Sequence, residues 1–147
     1  MKLLFTGLIA MMILASATIP TNKDVTGIWK TIDDETGKPK SLVELTIKDG
    51  KLYGKIIKLF RGPNEEQNPM CTECEGAKHG KPIIGMQIVN GLELDDGEWE
   101  GDDGILDPKN GKVYDCKIWL DEDNPDILNV RGYIGWKFRT QTWHRVK

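Results

Sequence analysis

The chain reads as short runs of alternating apolar and polar residues separated by turn signals. Ser41-Leu-Val-Glu-Leu-Thr-Ile47 puts Val43, Leu45 and Ile47 on one face and Glu44 and Thr46 on the other, the two-residue period of a half-buried strand. Asp49-Gly50 predicts a hairpin turn into a second strand over residues 51–60. Asn110-Gly111 leads into residues 112–120, where Tyr114, Cys116, Ile118 and Leu120 share a face opposite Lys117. Asn124-Pro125-Asp126 leads into residues 127–133, with Leu128, Val130 and Gly132 on one side, and residues 139–146 end the pattern. Adding residues 27–33, 83–92 and 98–106 gives about eight strands. Beyond the N-terminal leader no ten-residue stretch carries a helical stripe, and residues 61–90 allow at most a short turn. The prediction is all-β: a single eight-stranded antiparallel up-and-down barrel, because closure removes the edges that a flat sheet would expose. A two-sheet sandwich of the same strands is the alternative.

Strand parity also nominates an interior. Val43, Leu45, Tyr114, Ile118, Leu128 and Val130 would line an apolar lumen with one phenolic group to orient a ligand. A barrel of this strand number either fills with side chains or holds one small ligand. The expected function is therefore binding of a small hydrophobic or amphipathic molecule. The alternative is a filled barrel, an envelope protein that acts on a partner through its surface. Five tryptophans can plug ends or line a pocket, although Trp119 falls on the outward phase.

The first residues alter where this barrel is expected to work. Lys2, the apolar run Leu3 to Leu14 and the small-x-small tripeptide Ala15-Ser16-Ala17 have the form of an export signal, so residues 1–17 are read as a signal peptide and 18–147 as the barrel domain. The expectation is a soluble periplasmic or secreted protein with no integral membrane segment once the signal is removed. The chain carries a net charge of −3, which argues against nucleic acid as a partner. The charge is uneven: residues 93–126 hold 13 acids and 3 bases, whereas 127–147 hold 5 bases and no acid. Neither Asp102-Asp103-Gly104 nor residues 121–126 space their oxygen ligands as a calcium loop does.

Certain motifs resemble something known. Gly27-Ile28-Trp29 is similar to the Gly-x-Trp signature of lipocalin and calycin barrels, in which the Trp plugs one end and packs against an Arg of the last strand. Arg139 and Arg145 both lie in the final strand, and the resemblance implies that one of them partners Trp29. Gly54-Lys55-Ile56, Lys81-Pro-Ile-Ile-Gly85, Ile105-Leu-Asp-Pro-Lys-Asn-Gly111, Arg131-Gly-Tyr-Ile-Gly135 and Arg139-Thr-Gln-Thr-Trp143 extend the match over nearly the whole predicted domain. Together they resemble a family of small exported bacterial proteins known only as a domain of unknown function. That implies a lipocalin-like barrel and supplies no catalytic set or cofactor. The stretch Gly101-Asp102-Asp103-Gly104 departs from the family's glycine-rich strand and would make a barrel rim more acidic.

The remaining chemistry sits in Cys71-Thr-Glu-Cys74, followed by His79. In an oxidising compartment a Cys71–Cys74 bridge with Cys116 buried and reduced is the expected arrangement; a bridge from either loop cysteine to Cys116 is the alternative. Cys71, Cys74, His79 and His144 could supply four zinc ligands, but a second paired motif is missing, so no metal is expected. Glu73 and Glu75 flank Cys74 and disfavour a thiolate, which weakens a thiol-redox role. No enzyme is expected: Ser41 lacks a nucleophile elbow, and the abundant carboxylates have no defined pairing.

Overall fold

The computed structural model describes residues 24–147, and the expected signal at residues 1–17 lies outside them. Eight strands follow one another: β1 Gly27–Ile32, β2 Pro39–Lys48, β3 Lys51–Leu59, β4 Gln87–Asp95, β5 Glu98–Asp107, β6 Lys112–Leu120, β7 Ile127–Ile134 and β8 Lys137–Arg145. Each pairs antiparallel with its sequence neighbours and β8 returns to β1, so the sheet closes into an up-and-down barrel. Closure excludes the sandwich. The only helical element among the described residues is one 3₁₀ turn, Gly76–Lys78.

Turn chemistry sets the register. At Asp49-Gly50 and Asp96-Gly97 both residues have positive φ (51° and 74°, then 46° and 84°), which is the tight hairpin turn whose twist matches the flanking strands. Both turns lie at the same end of the barrel, with the β6–β7 connection. There the Asp121 carboxylate accepts the N–H groups of Asp123 and Asn124, so these acids build a turn. The opposite end carries the β1–β2, β3–β4, β5–β6 and β7–β8 connections. The strand expected from residue 83 starts at Gln87, because Ile83–Met86 finish the long connection through bonds such as Gly85 N–H to the Ile56 carbonyl. Asp102 and Asp103 occupy an irregularity within β5, where pairing to β6 shifts between Gly101 and Ile105, so they stand in the wall and not on a rim.

The core fills one half of the lumen. Trp29, Val43, Leu45, Leu52, Val89, Leu92, Ile118 and Leu128 are buried to within 1% exposure, and they crowd toward the end where β1 begins. Two lumen glycines make room for them. A Cβ added at Gly54 would stand 2.6 Å from Leu45 Cδ2, and one at Gly104 would stand 2.5 Å from Leu92 Cδ2 and 3.0 Å from Cys116 Cβ. Interior packing of this density leaves no volume for a guest.

Candidate functional site

At the closed end, Gly27-Ile28-Trp29 and the last strand form one assembly. Trp29 is fully buried and donates its Nε1–H to the Val25 carbonyl at 2.8 Å. The Arg145 guanidinium lies over the indole, 4.3 Å from the ring centroid. It donates to the carbonyls of Thr26 (2.9 Å), Asp24 (2.7 Å) and Pro125 (3.2 Å), tying together the segment before β1 and the β6–β7 turn. Arg145 is thus the partner of Trp29. Arg139 sits at the other end, where it pairs with Asp34.

That other end is open. A cavity of about 380 Å³ enters the barrel from the mouth, within the range of small-molecule sites. Its walls are apolar, with Ile56, Ile88, Leu106, Val130 and Trp143 contributed by five strands. One polar pair lies among them: the Thr31 and Ser41 hydroxyls are 2.7 Å apart, and Thr31 Oγ1 also accepts the Ser41 N–H at 3.1 Å. Gln141 and Tyr114 add two more polar groups. The Gln141 Oε1 accepts from Trp143 Nε1–H at 3.2 Å, and the Tyr114 phenol accepts from the Asn110 amide at 2.8 Å. Lys40, Lys137 and Arg139 stand at the rim with Asp107. Among the described residues Lys40 and Lys137 have no carboxylate within ion-pair distance.

All six lumen residues nominated from parity point inward, but they divide by depth. Tyr114 and Val130 line the cavity, whereas Val43, Leu45, Ile118 and Leu128 are packed beneath it. Sequence reading missed Thr31, Ser41, Gln141 and Trp143. Their signal was present, since Thr31 and Gln141 each lie two positions from an inward Trp on the same strand.

The cysteine motif lies beside the mouth. Cys71 and Cys74 form a disulfide with Cα atoms 5.4 Å apart, and both are buried. The knot sits against the β5–β6 turn, with Cys71 Sγ 3.4 Å from the Pro108 carbonyl oxygen. Gly111 permits this approach: its φ is +70°, and a Cβ there would collide with the Glu73 carbonyl. His79 bonds the Cys74 carbonyl through Nδ1 at 2.9 Å, and His144 belongs to β8 near the closed end. The four residues weighed as zinc ligands are therefore not assembled. Cys116 is free and buried in the wall, and burial pushes its thiol up to about 12. Ser41, the one candidate hydroxyl nucleophile, pairs with Thr31 and with neither histidine.

Residues 27–145 match a family described as uncharacterized protein conserved in bacteria, DUF2147. No curated protein matches the chain. Among solved structures, the chain is similar to HP1028 from the human pathogen Helicobacter pylori, a protein described as belonging to the lipocalin family. The two share 18% identity at a TM-score of 0.68, over 84% of each chain. A likeness at that identity concerns the fold.

Proposed function

We propose, for a chain that belongs to the DUF2147 family of uncharacterized bacterial proteins, that the barrel is a carrier for a small amphipathic molecule. The observation that carries this reading is the 380 Å³ apolar cavity open at one end of an otherwise packed barrel. An apolar segment would lie against Ile56, Ile88, Leu106, Val130 and Trp143. A polar end would stay at the rim, near Lys40, Lys137 and Tyr114. The Thr31 and Ser41 hydroxyls satisfy each other, so a guest needs no polar group at depth. Binding without catalysis is part of the same proposal.

The test is titration with an uncharged lipophilic fluorophore, N-phenyl-1-naphthylamine. The native barrel should enhance its emission with saturation. Val130→Trp, which adds bulk to the cavity wall, should abolish the enhancement while far-UV circular dichroism and a cooperative unfolding transition are retained. No saturable signal from the native protein, or equal binding by a folded Val130→Trp variant, would remove the carrier reading. Export belongs to the proposal as well. Protein recovered from its native host should have the mass of a chain beginning at Thr18, and retention of residues 1–17 would exclude cleavage there.

A further inference from the structure

The mouth differs from the rest of the surface in a way that the cavity does not require. Nine large apolar side chains are notably exposed among the described residues, and six of them belong to this end. The three most extreme at the mouth occupy one hairpin tip: Ile134 is 63% exposed, Trp136 86% and Phe138 60%. Single exposed apolar residues are ordinary, but a cluster of this kind marks a contact surface.

The tip is paired to its end. β7 and β8 pair without a break from Ile127↔His144 to Ile134↔Lys137, leaving Gly135-Trp136 as a two-residue turn in which Gly135 has φ 58°. Behind the tip, the Arg131 guanidinium lies 4.5 Å from the Phe138 ring centroid and 5.0 Å from that of Trp119 on the outer wall. Lys137 lies on the tip itself, 5.5 Å from the Trp136 centroid, and Arg139 and Lys40 follow along the rim. From residue 127 onward the chain has no acid at all. The turns of the closed end, by contrast, hold Asp49, Asp95, Asp96, Asp121, Glu122 and Asp123. The other connections of the mouth mix acids (Asp33, Asp34, Glu35, Glu65, Glu66, Glu73, Glu75) with bases, so the cationic, apolar-tipped element is the β7–β8 hairpin itself, and it stands opposite an acidic end.

We propose that the β7–β8 tip docks the barrel mouth-first on an anionic lipid bilayer. Three features favour a bilayer over a protein partner. A two-residue turn is convex and narrow, and a stable protein interface requires about 800 Å² on each partner. An indole beside lysine is the pairing that settles at the headgroup level, where the ring is half-buried and the ammonium reaches the phosphates. The charge difference between the acid-free β7–β8 hairpin and the acidic turns of the closed end would orient the approach toward an anionic surface. Docked in this way, the cavity would open toward the lipid, and a lipophilic guest would pass between the two without crossing bulk water.

The experiment is co-sedimentation of the native protein with phosphatidylcholine vesicles that contain or lack phosphatidylglycerol. Binding should require phosphatidylglycerol and weaken with added salt. Lys137→Glu should reduce it by at least about tenfold, given the strength of a single charge near such a surface. Trp136→Ala should reduce it comparably and leave the naphthylamine titration unchanged, because Trp136 does not line the cavity. Leu94→Ser, which changes a 58% exposed residue of the closed end, should have no effect. Three outcomes would overturn the proposal: no native binding to anionic vesicles, full binding by folded Trp136→Ala, or a Trp136-dependent self-association in place of vesicle binding. Naphthylamine binding without vesicle binding would defeat docking and leave the carrier reading intact.

Discussion

The two ends of this barrel are built from the same alternating strands and differ in what stands on the inward positions. At the closed end the lumen glycines Gly54 and Gly104 let Leu45 and Leu92 interdigitate, and the Arg145–Trp29 pair seals the exit. At the mouth, Ser41, Thr31 and Gln141 replace leucines at equivalent inward positions, and the space above them stays open. Small and polar residues at the top and large apolar residues below divide a single lumen into a core and a cavity. One half is filled with close-packed apolar side chains, and the other keeps buried apolar walls around an open space.

Substitutions should separate the halves. Trp29→Ala empties the sealed end and should cost about 3–5 kcal/mol, read as a fall in denaturation midpoint at constant slope. Gly54→Val forces a branched side chain against Leu45 and Val89 and should cost about 1–3 kcal/mol by overpacking. Removing the disulfide as Cys71→Ala/Cys74→Ala should cost at most roughly 2 kcal/mol, because the closed loop is so short. Its larger expected effect is faster amide exchange in the β5–β6 turn against which the knot rests. Ile134→Ser at the tip should change stability by less than about 0.5 kcal/mol. If Ile134→Ser proved as damaging as Trp29→Ala, the division into two halves would be wrong.

Cys116 gives the comparison a pH axis. Its thiol ordinarily titrates near 9.0 and in the folded barrel near 12, so over that interval the unfolded chain binds fewer protons than the folded one. Stability should therefore be intact below pH 9 and fall as pH rises toward 12. Cys116→Ala should flatten that part of the profile, measured by chemical denaturation at a series of pH values.

The alternation of residues 41–47 and 112–120 made the strands legible, and up-and-down closure followed from their number and their short turns. The long connection was harder to read: Ile83-Ile84 is apolar enough for a strand, yet the Ile83 N–H goes to the Pro69 carbonyl and the Ile84 N–H to the Asn68 side chain, both within the connection's own packing. Parity identified the inward face and could not say how deep each position lies. Depth depends on strand stagger, which places Val43 beneath the cavity and Ser41, two residues away on the same strand, in its wall. The choice between Arg139 and Arg145 had the same cause, since both face inward on β8 and only the β1–β8 register brings Arg145 opposite Trp29.

That register has a kinetic consequence. Seven of the eight strand pairings join sequence neighbours, and only β1–β8 must wait for the two ends of the domain to meet. The seam is also brief, with Trp29↔Arg145 and Lys30↔His144 its two paired positions, and the bond from Arg145 to the Thr26 carbonyl spans 119 residues. A contact of such separation carries its full loop-closure entropy and forms after the hairpins. Arg145 then works as a clasp fastened last and released first. Arg145→Met should leave the refolding rate nearly unchanged and accelerate unfolding, a φ-value near zero, so the lifetime of the folded barrel rests on its final strand.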